Sequence, residues 1–322
     1  MPEPEAQADM NDNIQALMSL LPQMEEALGA ENPELADYLT SIGLLLYHES
    51  RFDEAEIFLD RALVIRDRVL AVDHPDIGSA MNNLAMVYLA QTKLQDAEPL
   101  FRQALTIQEK SLGIEHPSLA SAINNLAELY RAMMRVEKAE PLYKRALEIR
   151  QKFLGDDHVE VAEVLLNLGL LYRDHGRPSE AELMLRQVLK IYEKFFGPEH
   201  PEVAEILTNL ASLFTASDQL DTAEAFHRRA LAIREAALSP GNPKVAESLS
   251  RLAWIYHHSD HLARAESLYR RAIEIYEESL GPEHPSVAAT MENLVDLLRK
   301  TDREQDADML ENKIALLRQK EI

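Results

Sequence analysis

The chain has no cysteine, one tryptophan and only ten glycines among its 322 residues. Without thiols there is no disulfide framework, no zinc–thiolate centre and no cysteine nucleophile. That usage suits a reducing compartment. Scarce glycine alongside 46% hydrophobic residues favours an ordered helical chain over a disordered one. Long apolar runs are missing too. The longest, Val164 to Tyr172, is interrupted by Asn167 and is about half the length a membrane span requires. The opening Met1-Pro2-Glu3-Pro4-Glu5 lacks the basic-then-apolar build of a signal peptide. Positive charge is in deficit, with 33 Lys and Arg against 55 Asp and Glu and a net charge of −22. That balance argues against nucleic acid and against charge-driven membrane binding. A cytoplasmic protein with no nucleic-acid partner and no membrane insertion is expected.

Catalytic patterns are absent as well. There is no Gly-rich phosphate loop and no nucleophile elbow. The run His257-His258-Ser259-Asp260-His261 sets two histidines four apart, but no carboxylate motif completes a metal site. No metal, no cofactor and no enzymatic activity are expected.

What is present is a period. Asn32, His74, His116, His158, His200, Asn242 and His284 follow one another at intervals of 42 residues, without insertion or deletion. Proline follows six of the seven; the exception is Val159. A fixed period of this length signals a solenoid, a stack of like supersecondary units. One elongated domain is the better reading of the length than two globular ones.

Each unit reads as two helices. In the third, Pro117 stands where the first helical position is expected, because its missing N–H costs nothing there. Ala120, Ile123, Leu126, Ala127 and Tyr130 share one stripe at helical spacing, and a polar break near Met134-Arg135 ends the helix. The second helix is expected from about 136 to 153, burying Ala139, Leu142, Tyr143, Ala146, Leu147 and Ile149. Gly155 then supplies the left-handed residue that commonly ends a helix. Ala127, Ala139 and Ala146 recur in other units, as at Ala85, Ala97 and Ala104, and alanine at fixed register marks a close helix crossing. Pro99 and Pro141 fall late in a first turn, where a mild bend is tolerable. The glutamate after alanine (Glu98, Glu140, Glu182, Glu224, Glu266) is expected to pair with arginines of adjacent repeats.

Residues 1–9 read as a disordered tail. Residues 10–31 read as a half-repeat, a capping helix with Ile14, Leu17, Met18, Leu21, Met24 and Leu28 on one face. Residues 32–322 form the repeat array. Its last unit degrades, with Asp308 for the usual glutamate and Ile314 for alanine, and a polar final helix suits an exposed end.

The pattern Leu126, Ala127, Tyr130, then Ala139, Tyr143, Ala146 resembles the tetratricopeptide repeat. The longer 42-residue form, with Asn-Asn-Leu-Ala at 82–85 and Ala-Glu-x-Leu…Arg-Ala-Leu at 139–147, is similar to the repeat of kinesin light chains and related bacterial proteins. The chain lacks the long N-terminal heptad coiled coil of kinesin light chains, so a motor-cargo adaptor role is not expected. The resemblance implies an all-α, right-handed α-solenoid of seven helix-turn-helix repeats.

It also implies that the first helices line a concave groove. The ninth position after each opening residue then gives Ser41, Asn83, Asn125, Asn167, Asn209, Arg251 and Asn293, an asparagine ladder, with Asn82 and Asn124 beside it. An amide offers donors and an acceptor, so it can hold a peptide backbone of any sequence. The plainer reading is that these amides bond neighbouring helices. The twelfth position supplies Met86, Glu128, Leu170, Ser212 and Trp254, and the next turn Arg131, Arg173, His257, Arg299 and Lys300. Basic groups on the inner face of an acidic chain suit a peptide with acidic residues around an apolar anchor. The expectation is a non-enzymatic scaffold that binds a partner's peptide. The alternative is a self-assembling homo-oligomer joined through the N-terminal helix or the solenoid ends.

Overall fold

The computed structural model describes residues 4–319. Their regular structure is all helical, with no strand among the described residues. The chain divides into two compact units, 1–156 and 157–322. The first holds α1 (Pro4–Leu28), α2 (Pro33–His48), α3 (Phe52–Val69), α4 (Pro75–Ala90), α5 (Leu94–Leu112), α6 (Leu119–Ala132) and α7 (Val136–Leu154). The second holds α8 (Val159–Asp174), α9 (Pro178–Phe196), α10 (Pro201–Ala216), α11 (Leu220–Ala237), α12 (Pro243–His258), α13 (Leu262–Leu280), α14 (Pro285–Lys300) and α15 (Glu304–Gln319). The architecture is an all-α repeat solenoid. Within each unit a repeat's two helices pack on each other, and the second packs on the first helix of the next repeat. In the first unit α2 also touches α4 and α4 touches α6; in the second α12 touches α14. No two second helices approach comparably, so the first helices line the inner side of each unit.

The opening residue of six repeats works as a helix N-cap. His158 Nδ1 accepts from the Glu160 N–H at 3.2 Å, and Asn242 Oδ1 from the Lys244 N–H at 2.9 Å. His74, His200 and His284 repeat the histidine geometry and Asn32 the amide one. A ring nitrogen that accepts here leaves the ring hydrogen on Nε2, and such a cap contributes about 1 kcal/mol. The third repeat departs from expectation. His116 Nδ1 still accepts from the Ser118 N–H at 3.3 Å, but helix α6 begins at Leu119 rather than Pro117, because its first bonds, Leu119 N–H to His116 O and Ala120 N–H to Pro117 O, close tighter three-residue turns.

The end of each first helix is a feature that the amino-acid identities conceal. Ser50, Thr92, Met134, Gly176, Asp218, Asp260 and Asp302, one per repeat at the same register, all have φ between 56° and 68°. In the third repeat Arg135 N–H donates to Tyr130 O at 2.8 Å and Met134 N–H to Arg131 O at 2.9 Å. That is the Schellman pairing, and it needs a left-handed residue. Thr92 is the least suited, since a β-branched side chain crowds this conformation. Thr92→Gly is therefore expected to stabilise the first unit by about 1 kcal/mol, strain relief outweighing the added freedom of the unfolded chain. The urea midpoint at constant slope checks it; an unchanged or lower midpoint would contradict this account.

The glycines at the ends of second helices differ from expectation. Gly155 has φ 82° and ψ 163°, an extended conformation open only to glycine rather than the left-handed helical one. Gly113, Gly197 and Gly281 match it. Where Ala71 and Ser239 replace the glycine, α3 and α11 stop one residue sooner, on extended Leu70 and Leu238.

Helix α1 starts at Pro4, so residues 4–9 are helical rather than a tail; proline suits a first helical position and the following Glu5-Ala6-Gln7-Ala8 favours a helix. Residues 1–3 lie outside the described residues. Ile14 is fully buried against α2, and Tyr38 donates to Leu17 O at 2.7 Å. On α7 the buried residues are Ala139, Tyr143, Ala146, Ile149 and Arg150, while Leu142 and Leu147, expected inside, are half-buried. The alanine crossings are fully buried, and at Gly43, which takes the place of Ala85 and Ala127, an added Cβ would lie 2.6 Å from Leu59 Cγ.

Polar groups also run through the core. Arg66, Gln108, Arg150, Tyr192, Arg234 and Tyr276 occupy one register of the second helices, and all are buried. Arg66 Nη2 meets Asp37 Oδ1 at 2.6 Å and its Nη1 donates to Thr40. Among the recurrent glutamates, Glu98 pairs with Arg135 and Glu266 with Arg303 of the next repeat, each at 2.9 Å, as expected. Glu182 and Glu224 instead meet arginines of their own helices, Arg186 and Arg228, because those lie one turn away on the same face. Glu224 reaches the next repeat by accepting from Tyr256 Oη.

Candidate functional site

The inner side of the second unit holds a cavity of about 390 Å³. Helix α10 contributes Ser212, Thr215 and Ala216; α11 contributes His227; α12 contributes Ser250, Arg251, Trp254 and Ile255; α14 contributes Asn293. A second cavity of about 440 Å³ shares Ser250, Arg251 and Asn293 with it and continues past Lys244, Glu247 and Thr290. Three residues expected on the groove from their register, Arg251, Trp254 and Asn293, are thus brought together. Trp254 is half-buried, and its ring stacks on His258 with centroids 3.6 Å apart. His258 Nδ1 lies 2.8 Å from Trp254 O, which holds the pair in place.

The asparagines divide between packing and the groove. In the first unit Asn125 Nδ2 donates to Asn82 Oδ1 at 3.2 Å, a bond between neighbouring first helices. Asn83, Asn124 and Asn167 are half-buried. Asn209 accepts from Arg173 Nη1 at 2.9 Å and donates to Glu205 O, so both ends of its amide are engaged. Asn293 donates to Ala289 O in its own helix, and its Oδ1 has no hydrogen bond among the described residues.

The last-turn residues depart from expectation. His257 is buried, its ring edge-on to Tyr269, so it belongs to the packing between α12 and α13 and not to the groove surface. Arg299 turns toward α15 and pairs with Glu311 at 2.8 Å. Arg131 lies 3.7 Å from Glu128 and reaches toward Tyr143, and Arg173 is held by Asp174 as well as Asn209. Arg299 thus leaves the inner side for α15, whereas Arg173 stays between α8 and α10 against Asn209. No group of three or more metal-ligating side chains is gathered among the described residues.

His227 is the cavity residue that register alone does not announce. Its position reads Leu59, Phe101, Tyr143, Leu185, His227, Tyr269 and Glu311 down the array. A lone imidazole in a column that is apolar or phenolic in every repeat before the last is the signal that could have marked it. Only 3% of it is exposed, and its ring makes no hydrogen bond among the described residues. Burial, together with the charges of Arg251 and Arg234, pushes its pKa down to about 4, so it is neutral at pH 7.

Charge around the cavity runs against that of the whole chain. Arg251 pairs with Glu247 at 2.9 Å, Lys244 with Glu205 at 2.6 Å, and buried Arg234 with Glu205 at 2.9 Å. Burial pushes the Glu205 carboxyl up, but the Lys244 hydrogen bond and the Arg234 charge outweigh it and hold the group below the ordinary value. Three cations thus face two carboxylates, a local surplus of one positive charge in a chain of net −22.

A tetratricopeptide repeat family model matches residues 34–110, 118–194, 188–236, 202–278 and 244–315. No curated protein matches the chain in sequence. Among solved structures, nearly identical TPR-like repeats attributed to a kinesin light chain of Podosopora anserina are 26% identical, over 64% of this chain and 97% of that one, with a TM-score of 0.57. BtubC (BKLC) from P. vanneervenii is 21% identical over 86% of this chain and 94% of its own, also with a TM-score of 0.57. The apo form of the quorum sensor NprR from B. thuringiensis is 16% identical over 97% of this chain and 84% of its own, with a TM-score of 0.72. With the family model covering most of its repeats, the chain belongs to the tetratricopeptide repeat family, in the 42-residue form that kinesin light chain-like proteins carry.

Proposed function

We propose that this protein is a non-enzymatic scaffold that binds an extended segment of a partner protein along the inner face of α10, α12 and α14. The single observation behind this reading is the cavity itself. There the lone tryptophan, an unbonded amide oxygen and three hydroxyl side chains open on one space. An aromatic anchor beside adaptable polar groups is the usual make-up of a peptide hot spot. The family fold supports an interaction role, and a structural neighbour described as a quorum sensor adds to it. A chain without cysteine, and without a membrane-crossing helix among its described residues, fits work in the cytoplasm.

Peptides selected from a displayed random library against the full chain test this. Binding is expected to change Trp254 emission, and Trp254→Ala should weaken it at least about tenfold while helicity stays intact. Selected peptides that leave the emission unchanged and bind Trp254→Ala equally well would overturn the groove assignment. Concentration-dependent assembly by light scattering, with no peptide enriched, would favour the self-assembling reading instead.

A further inference from the structure

Three departures from the repeat meet at one place. Arg251 is the charged member of a ladder otherwise made of Asn83, Asn125, Asn167, Asn209, Asn293 and the hydroxyl of Ser41. His227 is the imidazole in a column that is aromatic or aliphatic up to Glu311 of the last repeat, and Ser212 is small where other repeats carry Leu44, Met86, Glu128, Leu170, Trp254 or Asp296. Stacking alone accounts for none of them, since the neighbouring repeats stack with the ordinary residues. Together they make a space of about 390 Å³ with a guanidinium at its mouth and a nine-tenths-buried, unbonded imidazole in its wall.

We propose that this cavity is the specificity pocket of the peptide groove, taking an acidic side chain whose carboxylate pairs with Arg251 and draws a solvent proton onto His227. The proposal rests on the groove reading above and assigns its preferred residue. The local surplus of one positive charge favours an anion. An internal side chain, rather than a chain terminus, follows from the continuation of the space into the second cavity, which lets the peptide pass in both directions.

The proton follows from the surroundings of His227. The charges that act on it are Arg251, across on α12, and Arg234, on its own helix; both oppose a third positive charge. Helix α10 faces the cavity with Ser212, Thr215 and Ala216, none of them charged. Glu205 and Glu247 are engaged with Arg234, Lys244 and Arg251. A carboxylate seated at Arg251 offsets the repulsion and gives a protonated ring an acceptor, so binding and protonation support each other. A proton enters from solvent, the imidazole becomes imidazolium, and no bond to carbon changes.

Library peptides displayed through their C-terminal ends test the proposal on the full chain, because they carry no free terminal carboxylate at the binding segment. Enrichment of Asp or Glu at one position is expected. Synthetic copies with amidated C-termini should bind about tenfold or more tighter at pH 6 than at pH 8, with net proton uptake seen by calorimetry in two buffers of different ionisation enthalpy. Arg251→Gln should weaken binding at both pH values. His227→Phe, a residue the array already uses at Phe101, should fold and abolish both the uptake and the pH dependence. The proposal is overturned by neutral enriched peptides, by a need for a free C-terminus, or by uptake that persists in His227→Phe. Peptides that still depend on Trp254 in those cases keep the groove reading and discard only this one; no binding peptide at all removes both.

Discussion

Replacing Arg234 by alanine is expected to destabilise the second unit by about 3–5 kcal/mol, the usual cost of breaking a buried ion pair from one side. Arg234 is 1% exposed. Its Nη1 donates to Ser248 Oγ at 2.7 Å and to Lys244 O at 3.3 Å, and its Nη2 faces Glu205 Oε2 at 2.9 Å as an ion pair without hydrogen-bond alignment. One side chain on α11 thereby ties α10 to α12. Alanine removes the ties and leaves a hole beside a carboxylate. Methionine keeps most of the volume, and Glu205 retains Lys244, so Arg234→Met should lose less, about 1–2 kcal/mol. Repeat arrays need not unfold in one step, so the reading is hydrogen-exchange protection of α10 to α12 together with the urea profile. Equal losses in the two variants would show that filling the space contributes nothing and that charge carries the whole effect.

Acid should remove a second contribution, this one from His227. Its pKa lies near 4 in the folded chain against an ordinary 6.5, so below 6.5 the unfolded chain takes the proton that the folded one resists. The stability associated with the neutral ring is therefore complete above pH 6.5 and is lost as the pH falls from there to about 4. The loss amounts to about 3 kcal/mol at the acid end. Carboxylates titrate in the same range, but they do so in wild type and in His227→Phe alike. The difference between the two unfolding free energies, followed from pH 7.5 to 4.5, isolates the imidazole. A pH-independent difference would place His227 in contact with water and contradict its burial.

Much of the fold was legible because packing repeats. The opening His or Asn caps a helix in six of the seven repeats, and the Leu126, Ala127, Ala139 and Ala146 register is fully or nearly fully buried. Conformation that many side chains tolerate was not legible. The left-handed residue closing each first helix is Ser, Thr, Met, Gly or Asp, and a single glycine in seven leaves no compositional mark. Only the shared register discloses it. The site was legible for residues whose backbone position fixes their direction, namely Arg251, Trp254 and Asn293. It was not legible for His257 and Arg299, whose long or edge-placed side chains choose the nearest partner after packing. His227 escaped because a search for repeating residues passes over the one that fails to repeat.

The buried column of Arg66, Gln108, Arg150, Tyr192, Arg234 and Tyr276 alternates, a guanidinium in every other repeat. The sequence counts in 42 residues, yet this one column counts its guanidinium groups in 84. Removing or adding a single repeat would therefore bring two guanidinium groups, or two uncharged groups, into consecutive positions of this column, whereas a pair of repeats keeps the alternation. For this column the unit of exchange is a doublet of 84 residues, not the single repeat.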